Sequence, residues 1–227
     1  MKHIVKQIKE ENIKKVDNQM IKEVYLIRHS KPLKVNNDNS NDSLQIQNEK
    51  QPLAIEGENI AKDKLNIDEL KNIDKLYSSS YVRAISTAKY IAENNNIEIN
   101  VIDDFGERKF GINSWSELPD NFGQKQFLDE NYKTEFGESQ KEVRERTFNT
   151  LMNILKCEDK KIAIVFHSTA MLFLLMTWCK VVPNKENFSY KFLFDDKEIF
   201  NNKIGYCEIF KLTFNDDKLI DIKNIEG

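Results

Sequence analysis

Hydrophobic positions along the chain fall into short continuous runs and helical stripes that alternate with one another. Val24-Tyr25-Leu26-Ile27 is a β-branched and aromatic run of the kind that forms a strand buried on both faces, and it stops at Arg28-His29-Ser30-Lys31-Pro32. Lys75–Ser78, Ile97–Ile102 and Ile162–Phe166 read as three further strands, the last ending at His167-Ser168. Between them Ile60, Ala61 and Leu65 mark a helix that follows Pro52-Leu53 and includes Gly57. Val82, Ile85, Ala88, Ile91 and Ala92 keep the helical period, which puts Arg83 in the first turn of a helix that follows a strand. Val143, Phe148, Leu151 and Leu155 predict an amphipathic helix over Glu142–Cys157, and Thr169–Lys180 reads as an apolar helix. Tyr190–Phe194, Cys207–Phe214 and Leu219–Ile222 read as terminal strands, the last two joined as a hairpin through Asn215-Asp216-Asp217.

Two segments fall outside this rhythm. Ile4, Val5, Ile8, Ile13, Val16 and Met20 recur at roughly helical spacing, so residues 1–22 read as an N-terminal extension forming an amphipathic helix outside a main domain of residues 23–227. Lys34–Gln51 is rich in Asn, Asp, Ser and Gln and reads as a long exposed loop. Alternating strands and helices predict a three-layer α/β/α sandwich with a mostly parallel central sheet. In such sheets ligands bind beyond the carboxyl ends of the strands.

Composition narrows the function classes. A length of 227 residues suits one generous α/β domain, and 34 Lys+Arg against 37 Asp+Glu leaves a net charge of −3. That balance offers nothing to nucleic acid or to an anionic membrane, so any anion-binding power is local. Cys157, Cys179 and Cys207 are odd in number and far apart, which argues against a disulfide framework and against a zinc site, and favours a reducing compartment. The first 22 residues lack the continuous apolar core of a signal peptide, so a cytoplasmic location is expected. The apolar stretch 170–179 is about half the roughly 20 residues needed to span a bilayer, and its Met171, Phe173, Leu174 and Leu175 read as core.

Chemistry concentrates at two strand ends. Of the 3 histidines, His29 and His167 each follow a buried strand and each precede a serine. If the two strands are parallel neighbours, both imidazoles reach one edge of the sheet, where Arg28 and Arg83 can join them. Two guanidiniums match phosphate oxygens bidentately, and a helix beginning after His167 offers free N–H groups.

Those residues carry a resemblance. Tyr25-Leu26-Ile27-Arg28-His29-Ser30 resembles the strand and Arg-His-Gly signature of the histidine phosphatase superfamily, phosphoglycerate mutase-like, branch 1. Tyr77–Ala88 is similar to its SSPLxRAxxTA segment, Glu107–Gly111 to its E-x-x-x-G block, Gly137-Glu138-Ser139 to its G-E-S, and Val165-Phe166-His167-Ser168 to its V-x-H-G. Pro52, Leu53 and Gly57 fit a weaker PLTxxG pattern, so the similarity runs from about Val24 to Phe214 in the family's order.

The resemblance implies a metal-independent phosphomonoesterase that uses no cofactor and acts on a phosphorylated small molecule. His29 would be the nucleophile that becomes phosphohistidine, while Arg28, Arg83 and a protonated His167 hold the phosphoryl oxygens. Glu107 would protonate the leaving group, with burial beside Phe110 or Trp115 as a cause of the raised pKa that role needs. Ser30 and Ser168 stand where the family has glycine, placing side chains close to the phosphate, and Lys31 adds a positive charge at the pocket mouth. On their own Lys31 and Arg108 read as solvated charges, and Gly137-Glu138-Ser139 as a helix start with Ser139 or a neighbour as cap. A phosphoglycerate-type mutase and a non-catalytic phosphate-binding module on the same fold are the alternatives. The loops 34–51 and 114–138 carry specificity on this reading.

Overall fold

The computed structural model describes residues 20–35, 40–184 and 189–225. Its centre is a six-stranded sheet built from β1 (Ile21–Arg28), β2 (Lys75–Ser78), β3 (Ile99–Val101), β4 (Lys161–Phe166), β8 (Ile209–Asn215) and β9 (Lys218–Ile225), in the order β3-β2-β4-β1-β8-β9. The β1–β4, β2–β4 and β2–β3 pairings are parallel, whereas β8 and β9 add an antiparallel margin. The mostly parallel sheet predicted from the alternation is therefore present, and helices lie on both of its faces.

Strand alternation sorts the core into two halves. Val24 and Leu26 of β1, with Ile162, Ile164 and Phe166 of β4, face one side, where they meet α5 (Gln140–Ile154) through Val143 and Leu151 and α6 (Ser168–Leu175) through Met171 and Leu174. Tyr25 and Ile27, with Ala163 and Val165, face the other, against α2 (Ile55–Lys64) through Ala61 and α3 (Val82–Asn95) through Ala84, Ala88 and Ile91. Each fully buried Leu or Ile contributes on the order of 2 kcal/mol, so reversing the register of β1 by one residue would exchange both halves at a prohibitive cost.

Several boundaries differ from those read in the sequence. β1 starts at Ile21, before the expected Val24, because β8 extends its ladder as far as Asn215; residues 1–19 lie outside the described residues. Lys22 on this added turn of strand is only 2% exposed, and its Nζ donates to the carbonyls of Leu155 and Cys157 at the end of α5. A cation there satisfies the orphan carbonyls of the helix and complements its dipole. The segment 34–51 is not a loop throughout: Leu44–Lys50 forms α1, capped by the Ser43 side chain accepting from Ile46 N–H. The helix expected over Thr169–Lys180 stops at Leu175, and the chain re-enters a strand, β5 (Lys180–Asn184).

β5, β6 (Ser189–Phe194) and β7 (Lys197–Asn202) make a separate three-stranded antiparallel sheet, of which only β6 was legible in the pattern. Phe192 ties it to the main body by packing on Phe200 and on Phe210 of β8, with ring centroids 5.3 and 5.7 Å apart. A short helix α4 (Phe122–Leu128) precedes α5 in the chain. Among the described residues no helix is long and apolar enough to cross a membrane.

Candidate active site

The β1–β4 register places the two histidines side by side. Arg28 is level with Phe166, His29 N–H donates to the Phe166 carbonyl at 2.9 Å, and the next residue along β4 is His167. The imidazole centroids are 5.0 Å apart at 61°. β2 runs beside β4 with Ser78 opposite Val165, so the chain leaves β2 at Ser79 next to His167 and enters α3, whose first turn delivers Arg83.

Arg83 reaches both rings. Its Nε donates to His29 Nε2 at 3.1 Å, and its guanidinium lies 3.3 Å from His167 Nδ1. Since arginine only donates, both of those ring nitrogens are acceptors. The remaining nitrogens then carry the hydrogens: His29 Nδ1–H donates to the Ser30 carbonyl at 2.7 Å, and His167 Nε2–H donates to Ser79 Oγ at 2.8 Å. His29 therefore presents its Nε2 lone pair toward the guanidinium. Burial, then Arg83 and Arg28, push its pKa well below 6.5. Burial, then His29 and the Arg83, Arg146 and Arg28 charges, do the same to His167. With Arg83 as its neighbour, His167 is therefore a neutral ring in this arrangement.

Arg28 lies close enough for its charge to be felt at His29, His167 and Arg83. Its guanidinium donates to the Ile204 carbonyl and stacks on Tyr206 at 4.4 Å, while its buried Nε has no acceptor among the described residues. Burial lowers the pKa of both arginines and the Glu107 charge opposes that shift, so both remain cations facing one carboxylate.

Glu107 sits at the start of α6. Oε1 accepts from the N–H groups of Arg108 at 2.9 Å and Ala170 at 3.0 Å, and Oε2 accepts from Thr169 N–H at 3.2 Å. The carboxylate thus occupies the positive end of the helix that follows His167. Phe110 packs on Trp115, with centroids 5.1 Å apart, and on Phe122.

The loop bearing Glu107 is clamped from α5. Glu138 accepts from Arg146 at 2.8 and 2.9 Å and from Lys109 N–H, and Arg146 in turn donates to the carbonyls of Asp104, Gly106 and Glu107. Ser139 caps α5 in a reciprocal box with Glu142, as the helix-start reading expects. Gly111 has φ +61°, and a Cβ there would come within 2.1 Å of Gly137 N, so the E-x-x-x-G glycine lets the two loops touch.

Two of the expected substrate contacts point elsewhere. Ser30 is fully buried: its hydroxyl donates to the Gly57 carbonyl at 2.6 Å and its N–H to Thr87 Oγ1 at 2.9 Å. The extra hydroxyl is absorbed by α2 rather than turned toward the histidines. Lys31 pairs with Glu56 at 2.5 Å on the surface. Ser168 does start α6 beside His167. A Cβ on Gly57 would lie 2.1 Å from the Lys31 carbonyl, so glycine is what allows α2 to press against the loop after His29.

Other contributors carried no signal of their own. Ser79 orients His167, and Tyr81 meets the same ring edge-on at 4.5 Å while lying 4.8 Å from the Arg83 guanidinium. Asn48 of α1 accepts from Arg83 through its carbonyl. A backbone acceptor leaves no trace in residue type, and Ser79 and Tyr81 stand out only through the SSPLxRA-like segment.

A model of the histidine phosphatase superfamily (branch 1) matches residues 24–192. The chain belongs to that superfamily. No curated protein matches it in sequence at a significant level. Among solved structures it is similar in fold to a mycobacterial glucosyl-3-phosphoglycerate phosphatase (15% identity, TM-score 0.63, 90% of this chain and 97% of that one). It is likewise similar to a putative alpha-ribazole-5'-P phosphatase from Escherichia coli (14%, 0.60, 91% and 96%). A third likeness is to a phosphoglycerate mutase from Bacillus anthracis (16%, 0.60, 92% and 94%). His29, His167, Arg28 and Arg83, the four groups that the β1–β4–β2 edge gathers, all lie within the matched residues.

Proposed function

We propose that this histidine phosphatase-superfamily protein hydrolyses phosphomonoesters of small molecules through a phosphohistidine on His29. The observation that carries the reading is the junction of His29 and His167 with one shared guanidinium, Arg83, beside a second, Arg28, that keeps a buried donor unpaired. Such a group of donors around a neutral imidazole fits a tetrahedral dianion.

In this mechanism His29 Nε2 attacks phosphorus and the P–O ester bond breaks. Arg28, Arg83 and His167 hold the three non-bridging oxygens, and His167 takes up a proton when the dianion replaces Arg83 as its neighbour. Glu107, which takes up a proton as the ester dianion binds beside it, gives that proton to the departing alkoxide, then as carboxylate takes one from the water that attacks the phosphohistidine. The P–N bond breaks, inorganic phosphate leaves, and His29 and Glu107 return to their starting forms. No step calls on a metal or a cofactor. The three cysteines are free thiols, in keeping with work in a reducing cytoplasm.

The test is release of phosphate from p-nitrophenyl phosphate together with acid-labile labelling of the protein. Both are expected in the wild type and both are lost in His29→Ala, a fall of at least a thousandfold in kcat/KM. Labelling that survives His29→Ala would overturn the assignment. Conversion of a phosphoglycerate to its isomer without phosphate release would assign a mutase. Binding of phosphate analogues with neither turnover nor labelling would assign a binding module.

A further inference from the structure

Beside the four-group site the structure holds an open space. A cavity of about 500 Å³ opens where α6 begins, and Ser168 and Thr169 lie on its wall. Thr169 N–H donates to Glu107, and the Ile204 that accepts from Arg28 is also on the wall, so the cavity starts where the proposed proton donor ends. Its volume lies in the range, roughly 300–1,000 Å³, of pockets that enclose ligands of twenty or more heavy atoms. A two- or three-carbon alcohol would leave most of it unfilled.

The lining is specific in its chemistry. Leu172 and Phe173 from α6 form an apolar floor. Phe127 from α4 and Tyr190 from β6 stand together, ring centroids 6.2 Å apart and 29° from parallel, offering flat aromatic surface from two different elements. At the polar end is Arg108, which is not the solvated charge the sequence suggested. Its guanidinium lies 4.5 Å from the Phe110 ring and 5.2 Å from the Phe122 ring, and it donates to Gln126 Oε1. Gln126 is fully buried and is itself held by donating to the Tyr132 and Glu138 carbonyls at 3.1 and 2.7 Å. The fork is therefore oriented before any ligand arrives, and its Nε, also buried, has no acceptor among the described residues.

From this juxtaposition we infer that the cavity is the leaving-group subsite and selects phosphomonoesters of bulky, ring-bearing alcohols that carry a carboxylate or comparable acceptor for Arg108. The inference rests on the phosphatase reading for its orientation: the phosphate lies at His29, the ester oxygen at Glu107, and the alcohol extends along α6. Aromatic walls supply area-proportional affinity, and the pre-aligned guanidinium supplies the polar discrimination. Arg108 acts on specificity, through the alcohol and not through the reacting phosphorus.

Three alkyl phosphates with matched leaving groups test it: ethyl phosphate, 2-(2-naphthyl)ethyl phosphate and its 6-carboxynaphthyl analogue. The expected order of kcat/KM rises at least tenfold at each step, and Arg108→Met lowers the ratio of carboxylated to uncarboxylated ester at least tenfold. Arg108→Lys, which keeps the charge and loses the fork, falls between. Calorimetric binding of the free carboxynaphthyl alcohol to wild type and variant is measured alongside. Equal kcat/KM for the three esters overturns the inference and leaves the phosphatase reading standing. Binding of the alcohol that disappears in Arg108→Met, with no hydrolysis of any ester, supports the subsite and overturns the phosphatase reading. Neither hydrolysis nor binding overturns both.

Discussion

The sharpest physical expectation concerns the two buried imidazoles as the pH falls. His29 and His167 both accept a hydrogen bond from Arg83, and both have pKa values pushed well below 6.5, chiefly by burial. Protonating either ring would remove an acceptor from a guanidinium and place like charges in contact. In the unfolded chain each ring titrates near 6.5, so unfolding takes up protons below that pH. The folded pKa is depressed, and the sign follows: this contribution to stability is fully present above about pH 7 and is lost as pH falls through 6.5 toward the folded values.

Between pH 7.5 and 5.5 each histidine lowers the unfolding free energy by about 1.4 kcal/mol, or about 2.7 kcal/mol for the pair. Against a total stability of roughly 5–15 kcal/mol this is large, and in a chain of this length it lowers Tm by roughly 5–11 °C between pH 7.5 and 5.5. Urea melts at half-unit steps over that range check it, comparing wild type with His29→Asn/His167→Asn. Most carboxylates titrate below the window, so the difference in slope isolates the two rings. Equal slopes for the two proteins would refute the claim that both imidazoles are held neutral. Saturating vanadate should flatten the wild-type slope, because a bound dianion lets His167 keep a proton in the folded state.

Other expectations follow from single contacts. Gly57→Ala sets a Cβ against the Lys31 carbonyl and should cost about 1–3 kcal/mol in urea unfolding while also lowering turnover, since the displaced strand end carries His29; unchanged stability would show that α2 can retreat freely. Glu107→Gln removes the charge at the start of α6 and the proposed proton donor, so kcat should fall more for alkyl than for nitrophenyl esters, with about 1 kcal/mol of stability lost; equal losses on both ester classes would remove Glu107 from the acid role. Lys22→Met leaves the Leu155 and Cys157 carbonyls without their donor and should cost about 2–4 kcal/mol by denaturant titration, against no loss if water replaces the ammonium.

Much of this protein was written along the chain. The runs at 24–27 and 162–166 read as central strands, because a continuous, largely β-branched and aromatic run is covered on both faces. The residues that end them, Arg28-His29 and His167, inherit their position at the sheet edge from that covalent fact alone. Local chemistry likewise determined the Ser139 cap and the Asp216-Asp217 turn, since each depends on groups within a few residues. What neighbours in space contribute was not legible. The protonation of His167 is decided by burial and by Arg83, 84 residues away, and Ser30 faces α2 because Gly57 lets that helix come close. The small sheet escaped the pattern because β5 and β7 are exposed strands with weak alternation, held by Phe192 against Phe210. Arg108 reads as one more surface charge until the fold brings Phe122 and Gln126 around it. Strand burial is a property of a segment, and segments are visible in sequence; charge state and side-chain direction are properties of an enclosure, which exists only once distant segments have closed around it.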